Sequence, residues 1–176
     1  MKMLKKLLAV VLTGAMALTL LTACGGNAVN DKSIADALND IVKSSVAAGQ
    51  TKGYTFKPRT DEQAMAKAIA ALSESERHKT EKVMKILELD EDGANEESRF
   101  VWWGAVFADE IGTAGQAYNV MDKILSKDAV NAGKLTGKEP ADIRYIGTAL
   151  GTMTISGGKQ TTVRFIVVTA EAVDKK

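Results

Sequence analysis

The chain has 176 residues, with 23 basic and 22 acidic side chains, one histidine and one cysteine. That length gives room for one hydrophobic core and falls short of two. A lone cysteine excludes an internal disulfide, and lysines dispersed among acids, with no basic block, speak against nucleic acid as a partner.

The first predicted segment is an export leader. Lys2, Lys5 and Lys6 precede an apolar run over 7–21, which gives way to Thr22-Ala23-Cys24-Gly25-Gly26; basic start, apolar core and small-residue break are the parts of a secretory signal. The run is too short to span a bilayer, which takes roughly 20 apolar residues at 1.5 Å rise each, and its glycine flank brings no positive charge. Leu21-Thr22-Ala23-Cys24 resembles the lipobox of bacterial lipoprotein precursors. The resemblance implies that residues 1–23 are removed, that Cys24 receives a diacylglyceryl thioether, and that the new amino terminus can carry a further fatty acid such as palmitate. Each buried CH₂ contributes about 0.8 kcal/mol, so one chain anchors marginally and two or three almost permanently. The expected location is therefore the extracytoplasmic face of a cell membrane, with membrane lipid as the partner of Cys24. Three lysines leave with the leader, so the remainder carries 20 basic against 22 acidic side chains.

Residues 24–32 are polar and predict a lipidated tether, 33–172 a single domain, and 173–176 a polar tail. From Ser33, the spacing of Ile34, Leu38, Ile41, Val42 and Val46 predicts a helix capped by Ser33 or Asp31. Tyr54-Thr55-Phe56 reads as a short extended piece ended by Pro58, which has no N–H to give a ladder. Thr60 or Asp61 caps a second helix with its stripe on Ala64, Met65, Ala68, Ile69 and Leu72, and 73–88 reads as a further helical stretch, continuous with it or separate, with Val83, Ile86 and Leu87 inward. The acidic, glycine-interrupted segment 88–97 predicts a surface loop. Val101-Trp102-Trp103-Gly104-Ala105-Val106-Phe107 is the most apolar part beyond the leader; on a strand the adjacent tryptophans face opposite ways. Residues 114–127 read as a helix with Ala117, Met121, Ile124 and Leu125 on one side, and 128–141, with its glycines and proline, as a loop.

The period then changes to that of strands over 143–149, 152–155 and 161–169, the last two joined by the turn signal Ser156-Gly157-Gly158-Lys159. The expected fold class is α+β, helices first and a C-terminal antiparallel meander last. The order of Asn39 and Ala48-Gly49, the helix 61–72, Ala108-Asp109-Glu110-Ile111-Gly112, the helix after it and Tyr145-Ile146-Gly147-Thr148-Ala149 before a glycine-turn hairpin resembles a degenerate CAP domain, of the cysteine-rich secretory, antigen 5 and pathogenesis-related family. The resemblance implies a three-layer α-β-α sandwich and a cleft that in the family can hold a divalent metal between two histidines and two acids. Glu110 and Ile111 match the family's Glu-Asn-Ile motif, and His78 falls near one histidine. The other histidine's position, near 126–130, has none, so the resemblance implies a lost metal site.

Few residues point to chemistry. Glu74, His78 and Glu81 share a helix face at spacings of four and three, which produces either a ligand cluster or a solvated surface; one histidine without a free cysteine is poor in zinc ligands. Asp90, Asp92 and Gly93 imitate positions three, five and six of a calcium loop beginning at Glu88, but the twelfth position holds Arg99 where a bidentate glutamate belongs. Gly147-Thr148-Ala149-Leu150-Gly151 has no lysine for a nucleotide loop, so its glycines predict close contact or a bulge. Glu110 follows an apolar segment, where burial raises a carboxyl pKa. The expected function is a non-enzymatic binding or scaffolding module with Trp102, Trp103 and Tyr118 as binding residues, no cofactor and no metal, and a cell-wall, protein or small-molecule ligand. The alternatives are a metal-assisted CAP-like hydrolase using Glu110 and His78, and a structural part of an envelope assembly.

Overall fold

The structure, a computed structural model, describes residues 29–89, 98–108 and 112–175. The leader with Cys24, the acidic stretch 90–97 and the segment 109–111 with Glu110 lie outside the described residues.

Helix α1, Asp31–Ala47, buries Ile34, Leu38, Ile41 and Val42 as the spacing requires, while Val46 in its last turn is exposed. It starts before Ser33. The Asn30 side chain accepts the Ser33 N–H and the Ser33 hydroxyl accepts the Asn30 N–H, both at 2.9 Å, so two donors at the open helix end are satisfied reciprocally. Strand β1, Thr55–Pro58, ends on its proline as expected. Helix α2, Thr60–Ala71, has no side-chain cap; its start is fixed instead by the Arg59 N–H, which donates to the Ile146 carbonyl at 3.1 Å. The stretch after it is two short helices, α3 (Glu74–Arg77) and α4 (Thr80–Ile86). Helix α5, Thr113–Val120, runs on into a π turn, Met121–Leu125.

The sheet corrects the expected meander. Residues 143–149 and 152–154 belong to one long strand, β3 (Lys138–Thr154), which also takes in the end of the segment read as a loop, while Ile155 falls just past its end. It forms a hairpin with β4, Gln160–Asp174, through the predicted glycine turn. Gly151 in the middle of β3 pairs with Val163 without breaking the ladder; its missing side chain accommodates the Phe165 ring, which a Cβ there would meet at 2.8 Å. The flanking strands come from earlier in the chain: β1 joins β3 in parallel, and β2, Arg99–Phe107, joins β4 antiparallel. The result is an α+β fold whose mixed four-stranded sheet runs in the order β1-β3-β4-β2.

Both faces of the sheet are covered. Strand β4 is buried without interruption from Val163 to Ala170, which a strand needs only when neither face meets water. On one face Phe56, Trp102, Ile146, Ile166 and Val168 pack with α1 and α5. On the other Val101, Ala149, Phe165 and Val167 pack with α2 and α4 through Met65, Ile69, Val83 and Leu87. The two tryptophans divide between these faces as strand geometry predicts. Gly147 brings α2 down onto the sheet: a Cβ there would lie 1.9 Å from the Gln63 nitrogen, so the helix backbone occupies the space a side chain would need.

Candidate functional site

A sheet exposes unpaired N–H and C=O groups along its outer strands, and proteins that stay monodisperse cover them. Here Asn39 of α1 holds the outer side of β1: its amide nitrogen donates to the Phe56 carbonyl at 3.0 Å and its oxygen accepts the Phe56 N–H at 2.7 Å. Where β1 stops, the edge of β3 is closed in turn by charged side chains. Asp31 accepts the Thr148 N–H at 3.1 Å, Arg77 donates to the Thr152 carbonyl at 2.9 Å, and Glu74 accepts the Thr154 N–H at 3.3 Å. Thr154, together with the positive charge of Arg77 and His78, holds the Glu74 carboxyl below the usual range.

Two buried polar clusters anchor this side. Thr148, Gln116 and Arg164 are all buried; the Arg164 guanidinium donates to Gln116 at 2.7 Å, to Thr148 at 3.0 Å and to the Val29 carbonyl at 3.0 Å. Burial lowers its pKa, opposed by the charge of Asp31, yet a guanidinium stays charged. On the opposite face Glu62 is fully buried. Desolvation alone would raise its pKa, but hydrogen bonds from Arg59 and Thr169, with the Arg59 charge, outweigh it and hold the carboxyl below its ordinary value. The Arg59 guanidinium also lies 4.0 Å from the centre of the Tyr145 ring, a cation–π contact that steadies it.

The β2 edge is finished differently. Asn131 accepts the Val101 N–H at 3.1 Å and donates to the Arg99 carbonyl at 2.7 Å, and the Val130 N–H donates to the Val101 carbonyl at 2.8 Å. Because outward-facing groups recur every second residue, those of Trp103, Ala105 and Phe107 also face outward, and among the described residues nothing pairs with them. Beside this stretch lies a hollow of about 590 Å³ on the α2 side of the sheet. Trp103, Met153, Val163 and Phe165 line it, and Phe107, half exposed, stands at its mouth. Arg77, His78 and Lys123 edge it. A second hollow, about 200 Å³, lies against the other side of the same stretch and is bordered by Lys123, Lys127 and Asp128. Lys123, paired to Asp122 at 2.7 Å, borders both.

The structure separates the residues expected to act together. Trp103 lines the hollow, but Trp102 is buried on the other face, its indole N–H donating to the Lys127 carbonyl at 3.1 Å and its ring stacked on Phe100. Tyr118 packs with the α1 cluster, where burial and the nearby Asp122 push its phenol up. His78 and Glu74 both reach the hollow, but the helix breaks after Arg77, and Glu81 belongs to the next one. Glu88, the first position of the calcium-like loop, is ion-paired at 2.6 Å with Arg99, its twelfth. Cys24 and Glu110 lie outside the described residues. Among the described residues no three histidine, cysteine, aspartate or glutamate side chains converge as a metal would require, and no helix is long and apolar enough to cross a membrane. Sequence reasoning missed Arg77, Met153 and Phe165, which meet only through the hairpin. The exposed Phe107, ending an apolar strand, was the available signal.

Compared with known proteins, the chain matches no family model, no curated protein and no solved structure.

Proposed function

We propose that this protein is an extracytoplasmic binding lipoprotein, anchored through Cys24, whose domain takes an apolar group of its ligand into the hollow beside β2. The observation that carries the binding half is the hollow itself: its volume, about 590 Å³, is that of ligand pockets, which are concave, mostly apolar and furnished with a few polar groups. Aromatic and aliphatic side chains supply the apolar lining, and Arg77, with its guanidinium 5.0 Å from the Phe165 ring centre, supplies a fixed cation at the rim. Such a site suits an amphipathic ligand with an anionic end. The anchor half rests on Leu21-Thr22-Ala23-Cys24 after a basic start and an apolar run. Helices on both sheet faces agree with the three-layer arrangement that the CAP resemblance implies, and the shortage of histidines favours binding over metal-assisted hydrolysis within that resemblance.

Each half has its own test. Intact mass of protein from native membranes should show loss of residues 1–23 and a diacylglyceryl addition, and Cys24→Ala should abolish both; an unmodified thiol with the leader retained refutes the anchor. For the hollow, titration with the fluorescent anion 8-anilinonaphthalene-1-sulfonate should give a saturable component that Phe107→Asp removes. Phe107 is half exposed, so the fold tolerates the change. Identical binding by the variant refutes the site.

A further inference from the structure

We infer that the ligand of this site is an extended polypeptide that adds to the sheet as a fifth strand along Trp103–Phe107, an inference that rests on the binding reading above. Three observations carry it. Every other stretch of outer strand with a described partner is closed by a dedicated side chain, Asn39 on β1, Asp31, Arg77 and Glu74 on β3, Asn131 on the start of β2. Among the described residues Leu150 on β3 is left open between two closed neighbours, Thr148 and Thr152, whereas at Trp103, Ala105 and Phe107 three successive outward positions go unpaired, a run rather than a single gap. The two hollows lie on opposite faces of this same run, and Trp103, Gly104, Ala105 and Lys123 border both. A strand laid against β2 points its side chains alternately to the two faces, which places one set in the larger hollow and the other in the smaller. Backbone bonds to an edge with alternating side-chain pockets are the means by which sheets capture peptides. A lipid or a sugar has no groups repeating at strand spacing to meet the edge.

Charge selects the kind of peptide. The two hollows together present Arg77, Lys123 and Lys127 against Glu74 and Asp128, with Lys123 already paired to Asp122. Arg77 is engaged by carbonyls and Lys127 has no carboxylate partner among the described residues. Two copies paired edge to edge would bring these cations together. A peptide of alternating apolar residues carrying an acidic side chain would instead meet them with opposite charge.

The test uses the full chain and a short synthetic peptide of alternating valine and threonine flanked by glutamates. Binding should slow amide exchange at Trp103, Ala105 and Phe107 selectively. N-methylating the peptide nitrogens that face the edge should weaken it by about tenfold or more, since two or three backbone bonds are lost. On the protein side, Ala105→Pro removes an N–H that has no partner among the described residues and should cost about the same factor in peptide affinity, the anilinonaphthalenesulfonate component being read on the unaltered chain. If that component survives and the peptide does not bind, or the methylated peptide binds equally well, the peptide assignment fails and the hollow reading stands. If the probe component is also independent of Phe107, both fail. If sedimentation shows a dimer with the same three amides already protected, the occupant is a second copy and the assignment is overturned.

Discussion

The outer side of β3 and the outer side of β2 set two solutions to one problem next to each other. Beyond β1, strand β3 would expose its N–H and C=O groups, and Asp31 from α1 with Arg77 and Glu74 from α3 reach in to meet them. On β2, Asn131 does the same for Arg99 and Val101, and beyond them nothing follows among the described residues. The sealed side is polar, charged and tied to buried clusters; the open side is flanked by apolar hollows and a half-exposed phenylalanine. Hydrogen bonds and ion pairs thus gather along one border of the sheet, and the other keeps unpaired backbone groups among the described residues.

The strongest way to break that contrast is at Gly147. A Cβ there meets the backbone of Gln63 and Glu62 at 1.9 and 2.1 Å. A helix backbone cannot turn aside as a side chain can, so Gly147→Ala should destabilise the fold by about 3 kcal/mol or more, read from the urea midpoint. Removing a sealing side chain comes next. Asp31→Ala strips the acceptor from the Thr148 N–H and hydroxyl, and Asn131→Ala orphans two backbone groups of β2; each should cost about 2 kcal/mol. The second should also lengthen the open run, so exchange at the Val101 amide should accelerate while Trp103 stays as it was.

Acid should loosen the sealed side selectively. The folded pKa of Glu62 lies below its ordinary value of 4.5, so the stability it confers is complete above that value and is lost as pH falls through the depressed one. Glu62→Gln should flatten the dependence of the urea midpoint on pH in that interval. Glu74, depressed in the same direction, should release the Thr154 amide as pH falls through its own lowered pKa, with no matching change at Ala105. The smallest effect is expected on the open side. Ala105→Pro breaks no hydrogen bond of the fold, and Gly104 before it has no Cβ for the proline ring to meet, so stability should change by about 0.5 kcal/mol or less.

Periodicity made the helices legible. Ile34 to Val42 and Met65 to Ile69 carry their stripes openly, and the turn at Ser156-Gly157-Gly158-Lys159 announced its hairpin. Strand order was not legible, because pairing depends on which distant segments share a face. Gly151, after Leu150, made β3 look like two strands, although it is there for the Phe165 ring, while Gly147 within the first of them is there for α2. The parallel placement of β1 follows from Asn39 and Arg59 contacts that no local pattern encodes. Of the candidate site, Trp103 and His78 were visible as residue types, but the hollow is a property of the hairpin end and α3 together. Trp102 and Tyr118 were chosen for their rings alone; both pack in the α1 cluster, and Trp102 borders the smaller hollow rather than the larger.

The hydrogen bond from Arg164 to the Val29 carbonyl at 3.0 Å acquires a mechanical meaning if Cys24 is fixed in lipid. Four residues lie between the two positions, and the five steps make a leash of roughly 18 Å when fully drawn out, so the domain would then ride close against the bilayer. Tension on that leash arrives at an inner strand of the sheet, through a guanidinium braced by Gln116 and Thr148, instead of peeling α1 away from its free end.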